Sequence, residues 1–135
     1  MRVMLDTNVL ISMILFPTQN FTRVMEIILT RHSLVLSSFV INELLEVTER
    51  KFPSRKAAVE RFLQKLSYEM VYTPSQLPDD LFRIRDMNDY PVLYSAIVEG
   101  IDIFITGDKD FENVNVEKPE ICTPAEFLRR FSGTG

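Results

Sequence analysis

One junction recurs along this chain, and it constrains the fold more than any other feature: a short unbroken apolar run gives way directly to a helical pattern. Val3, Met4 and Leu5 precede the dense apolar stretch Val9, Leu10, Ile11, Met13 and Ile14, and Leu34 to Leu36 precede "SSFVINELLEV". Ile121 and Cys122 precede "TPAEFLRRF", and Ile103 to Ile105 follow the helical "YPVLYSAIVEG". A strand with one wet face alternates apolar and polar residues, so consecutive apolar residues require cover on both faces. Strands of that kind, alternating with helices over short loops, imply an α/β layered domain with a mainly parallel sheet.

The intervening segments supply the helices. In "NFTRVMEIILTR", Phe21, Val24, Met25, Ile28 and Leu29 share one helical face, with Asn20 as the expected cap. "SRKAAVERFLQKLSYEM" carries Val59, Phe62, Leu63 and Leu66 at helical spacing, with Ser54 as cap after Pro53. Pro91 suits a first turn and Gly100 a helix end, while Thr123-Pro124-Ala125-Glu126 combines a capping box with a proline at the first helical position. A chain of 135 residues suits one domain. We place that domain at residues 1–131, with "SGTG" at 132–135 as a frayed tail.

Residue content narrows the chemistry. Cys122 is alone and His32 is the only histidine, which removes zinc clusters and histidine-based triads. No apolar run is long enough to span a membrane and no signal peptide is evident, so a cytoplasmic protein is expected. The formal net charge of −4 means that bulk charge does not attract a polyanion. Any such ligand must meet a local basic patch or a bound cation.

Carboxylates gather where a parallel sheet binds its ligands, at the carboxyl ends of the strands. Asp6 ends the first strand, Glu43 lies in the helix after the second, Asp89 starts the helix before "IDIFIT", and Asp108 with Asp110 follows that strand. Clustered carboxylates repel and resist ionisation unless neutralised. Without thiolate or imidazole, the natural neutraliser is a hard cation, Mg²⁺ or Mn²⁺, which activates water for attack on phosphorus.

"MLDTNVLIS", "VINELLEV" and "RDMNDYPVLYSAIVEGIDIFITGDKDF" resemble, in order and spacing, the four acidic motifs of PIN-domain ribonucleases, and "ICTPAEFL" resembles their final strand and helix. The likeness is greatest to VapC-like toxins of toxin–antitoxin systems. It implies a three-layer α/β/α PIN-like fold around four to five strands, and a Mg²⁺- or Mn²⁺-dependent ribonuclease acting on single-stranded RNA. It also implies a homodimer and a cognate antitoxin. Carried over by position, the catalytic and metal-binding set is Asp6, Glu43, Asp89 and Asp108, with Thr7, Asn8, Thr106 and Asp110 in support. Asp86 competes with Asp89 for the third place, and Asp110 with Asp108 for the fourth.

Each residue also has an ordinary structural role. Asp6 and Asp89 suit helix caps, Glu43 a solvated helix face, Asp108 a turn, and His32 a surface position at a helix C-terminus. Arg50, Lys51, Arg55 and Lys56 form a basic stretch that suits either a solvated surface or RNA guidance. Two other classes fit less well. A haloacid-dehalogenase-like phosphotransfer domain wants a second Asp where Asn8 stands, and a non-catalytic PIN-like module would bind RNA or protein without cutting.

Overall fold

The computed structural model describes residues 1–78, 80–84 and 87–131. Its strands are β1 (Arg2–Leu5), β2 (Ser33–Ser37), β3 (Glu69–Val71), β4 (Ile103–Ile105) and β5 (Glu120–Cys122). They form one sheet in the order β3-β2-β1-β4-β5, with every pairing among the described residues parallel. The helices are α1 (Thr7–Leu15), α2 (Gln19–Arg31), α3 (Ser38–Lys51), α4 (Lys56–Lys65), α5 (Tyr90–Val98) and α6 (Pro124–Phe131). None is long and apolar enough to cross a membrane.

The core explains the apolar runs. Val3 to Leu5, Leu34 to Leu36 and Ile103 to Ile105 are all buried. Successive strand residues point to opposite faces, so three buried in a row need helices on both sides, which gives a three-layer α/β/α domain. The chain steps outward from β1 through β2 to β3, then crosses to β4 on the other flank of β1. Strand order therefore reverses between β1 and β4, the place where such sheets leave a crevice at their carboxyl ends. There Leu5 is in register with Ile105, and the Asp6 N–H donates to the Ile105 carbonyl at 3.0 Å.

Several local expectations need correction. α2 starts at Gln19, capped by the Thr18 hydroxyl, which accepts from the Phe21 N–H at 3.2 Å, and Asn20 lies inside the helix. Ile27 joins its buried face while Leu29 is 42% exposed, because one further residue past Ile28 turns about 100° out of the apolar stripe. Ser54 does not cap α4. Pro53, with its preset φ, opens a 3₁₀ turn over Pro53–Arg55 that takes up Ser54, and α4 begins at Lys56 without a side-chain cap. The segment "SYEM" is not helical: α4 stops at Lys65, and Glu69 to Val71 form the edge strand β3.

Other features appear as expected. The Thr123–Glu126 capping box makes both reciprocal bonds at 3.1 Å, Pro91 sits in the first turn of α5, and Gly100 takes the left-handed conformation, φ 67°, just past its end. His32 is more enclosed than a surface residue. It closes α2, and its ring lies edge-on to Phe131 and Phe127 of α6 at centroid distances of 4.8 and 6.0 Å, with neither ring nitrogen hydrogen-bonded among the described residues.

Candidate functional site

Asp6 follows β1 directly and is 6% exposed. Both of its oxygens are engaged: Oδ1 accepts from the Thr7 N–H at 2.8 Å, and Oδ2 accepts from the Thr106 hydroxyl at 2.7 Å. One side chain thus caps α1 and also reaches across to β4. Thr106 follows β4, so the β1–β4 register sets it beside Asp6. Its Oγ1 in turn accepts from the Asp108 N–H at 3.1 Å, and Asp108 Oδ1 accepts from the Asp110 N–H at 2.9 Å. A continuous hydrogen-bonded path runs from Asp6 through Thr106 to the turn that bears Asp108 and Asp110.

The carboxylates of Asp89, Asp108 and Asp110 converge from two elements. Asp89 occupies the cap position of α5 in a helical conformation, φ −87° and ψ −8°, and makes no side-chain capping bond. One oxygen from each of Asp89, Asp108 and Asp110 lies within 4.8 Å of the others, and all three residues are half-buried. Ligands on opposite sides of an ion are about 4.2 Å apart for Mg²⁺ and about 5 Å for Ca²⁺, so small side-chain rotations close this group on one hard cation. All three donors are carboxylate oxygens, which suits Mg²⁺, Mn²⁺ or Ca²⁺.

Glu43 lies in the second turn of α3, half-buried, and its charge reaches Asp6. Burial raises the Asp6 pKa above the ordinary carboxylate value. The hydrogen bonds from Thr106 and Thr7 oppose that rise, and the charges of Glu43 and Asp108 add to it. Thr7 is buried with its hydroxyl unpartnered among the described residues, and Asn8 is exposed on the first turn of α1. Of the alternatives open in the sequence, Asp110 stands beside Asp108 in the same group, and Asp86 lies outside the described residues.

The basic stretch lies elsewhere. α3 starts at the carboxyl end of β2 and runs back along the sheet, so Arg50 and Lys51 are about 20 Å along its axis from its start. Arg50 pairs with Glu46 at 3.1 Å and Lys56 with Glu49 at 4.0 Å, and Lys51 and Arg55 are exposed. A different cation, Arg83, was not singled out from the sequence. It shares a small depression with Ile84, Asp110, Asn113 and Val114. The segment bearing it is held by Tyr90, whose hydroxyl donates to the Pro78 carbonyl at 2.5 Å and accepts from the Leu81 N–H at 3.2 Å, while its ring stacks on Phe82 at 4.4 Å. The available sequence signal was a basic residue beside an aromatic one, "LFR", a few positions before Asp89.

Comparison with known proteins adds two findings. A family model described as PIN domain matches residues 2–110, a span that includes every candidate carboxylate. The fold is similar to a chain in the crystal structure of VapBC2 from Rickettsia felis bound to a DNA fragment from their promoter, with a TM-score of 0.67 and 17% identity over 90% of this chain and 97% of that one. No curated protein matches.

Proposed function

The chain belongs to the PIN-domain family, and on that premise we propose that it is a divalent-metal-dependent endoribonuclease that cuts single-stranded RNA and serves as the toxin of a toxin–antitoxin pair. The observation that carries this reading is the convergence of Asp89, Asp108 and Asp110 within 4.8 Å at the reversal point of the sheet, with the Asp108 N–H linked through the Thr106 hydroxyl to buried Asp6. Bound Mg²⁺ or Mn²⁺ supplies such a reaction with charge neutralisation at phosphorus and a water of lowered pKa. The protein's part is to hold and tune that centre. Asp89, Asp108 and Asp110 offer the ligand oxygens, with Asp6 and Glu43 completing the catalytic set. Thr106 fixes the orientation of Asp6 and, through the Asp108 N–H, the turn of the other two carboxylates.

The test is incubation of the purified protein with labelled single-stranded RNA in Mg²⁺ or Mn²⁺, with and without chelator, beside duplex DNA. Cleavage of RNA alone, abolished by chelator, is the expected result. RNA binding with no cleavage under any metal would replace the nuclease with a non-catalytic PIN-like module.

The partner in this reading is a cognate antitoxin whose tail covers the acidic cleft and sets an arginine among the carboxylates. The structural likeness to a chain of the VapBC2 assembly supports it. The chain itself is proposed to be a homodimer. Light scattering at micromolar concentration tests the dimer, and co-purification from the native host tests the antitoxin.

A further inference from the structure

The acidic centre has two unlike flanks. On one side, past Asp108, lies a cavity of about 620 Å³ whose wall includes Glu112, Glu117, Glu120 and Glu126 and contains no Lys or Arg. Glu120 is paired with Arg130, so a phosphodiester strand laid there would meet the like charges of Asp108, Glu112, Glu117 and Glu126. On the other side, past Asp110, the depression of about 160 Å³ contains one cation among the described residues, Arg83. That side chain is exposed and makes no ion pair among the described residues.

Its backbone is nonetheless well placed. Neighbouring Phe82 is 8% exposed and stacked on Tyr90, at an interplanar angle of 13°, at the start of the helix that also carries Asp89. Arg83 is therefore anchored to the frame that positions the acidic group, with its guanidinium left for a ligand. A guanidinium bonds phosphate oxygens in a bidentate fork, and it needs no metal to do so.

We infer that Arg83 binds a backbone phosphate of the RNA next to the one being cut, so that the strand crosses the acidic centre from the Arg83–Asp110 side and avoids the carboxylate-lined cavity. This rests on the ribonuclease reading and adds to it a phosphate subsite and a direction of approach.

The experiment compares full-length wild type with Arg83→Ala, Arg83→Lys and Glu112→Gln, using a fluorescent single-stranded RNA oligonucleotide in Mn²⁺ from about 50 to about 200 mM salt. Arg83→Ala should raise KM about tenfold with kcat within about twofold, the loss expected for one charge-assisted contact. The slope of log kcat/KM against log salt should become shallower by about 0.7, one phosphate contact on a single strand. Arg83→Lys should restore the slope and only part of the KM, since it keeps the charge and loses the fork. Glu112→Gln should leave KM unchanged or lower it. Wild-type cleavage with an unaltered slope and KM in Arg83→Ala overturns the inference and leaves the nuclease standing, as does a fall in kcat alone. A wild type that neither binds nor cuts the RNA removes the ribonuclease reading itself.

Discussion

Asp6 caps α1 with one carboxylate oxygen and accepts from the Thr106 hydroxyl with the other, and its proposed part in cleavage can be separated from that structural role. Substituting Asn keeps the shape and one carbonyl acceptor but removes the charge, so Asp6→Asn should fold and lose RNA cleavage. Asp89→Asn, Asp108→Asn and Asp110→Asn should each reduce it by about 100-fold or more if they hold the cation, beyond the loss usual for an outlying partner of a metal ligand. Full cleavage by Asp6→Asn or Asp89→Asn would sink the mechanism. The pH dependence of stability gives an independent check. The folded-state pKa of Asp6 is raised, so folded protein binds that proton more tightly than unfolded chain. Its contribution is present below the ordinary value of 3.8 and is lost as pH rises through the raised folded pKa. In chelator, wild-type urea midpoints should carry this loss on the alkaline side of 3.8, and Asp6→Asn should lack it. The acidic residues themselves were legible in the sequence, because each follows a recognisable strand, starts a recognisable helix or, for Glu43, lies in the helix that follows one. The pairing of Asp110 with Asp108 was not, since it depends on a turn closed by the Asp108 carboxylate and the Asp110 N–H.

Among the elements, α6 shows how an attachment can be sensitive to acid. It packs on α2 through Phe127, Phe131 and the enclosed ring of His32, and the Arg31 guanidinium donates to the Phe131 carbonyl at 2.9 Å. Burial lowers the His32 pKa, and the N-terminal amine, Arg31 and Arg130 lower it further. A depressed folded pKa means that the unfolded chain binds the proton more readily, so stability is complete above the ordinary 6.5 and falls as pH drops toward the folded value. His32→Phe, which keeps an aromatic ring without a titrating nitrogen, should flatten this acid-side loss, and NMR titration of the wild type should place His32 below 6.5. A measured pKa above 6.5 would contradict the packing argument. The same scale shows what pattern reading could and could not find. β1, β2 and β4 announce themselves as buried apolar runs, whereas β3 is an edge strand of three residues with Glu69 and Met70 exposed, and so leaves no periodic trace. Thr18 and Asn20 are both good caps by type, and the choice between them depended on where the preceding loop released the chain.

For the molecule as a whole, the proposed cation would relieve the mutual repulsion of the converging carboxylates. A ligand held only by the folded state stabilises it by about 2.7 kcal/mol at 100 times its dissociation constant, so millimolar Mn²⁺ should raise Tm in wild type and much less in Asp89→Asn. A wild-type Tm indifferent to Mn²⁺ would mean that the carboxylates do not form a site. The architecture was legible because parallel strands buried on both faces admit few arrangements. Arg83 was not, because its place depends on how Tyr90 holds an irregular segment that carries no repeating pattern. The β1–β4 pairing carries one more consequence. Asp6 and Thr106 are separated by 100 positions in sequence, and the carboxylate of the one is oriented by the hydroxyl of the other. While the chain is still being synthesised, the ribosome therefore releases Asp6 long before its partner, and no growing polypeptide shorter than about the fourth strand has a complete centre. A message broken or a ribosome stalled before that point yields a fragment unable to cut, so the proposed toxicity would begin only once translation has passed the turn at Asp108 and Asp110.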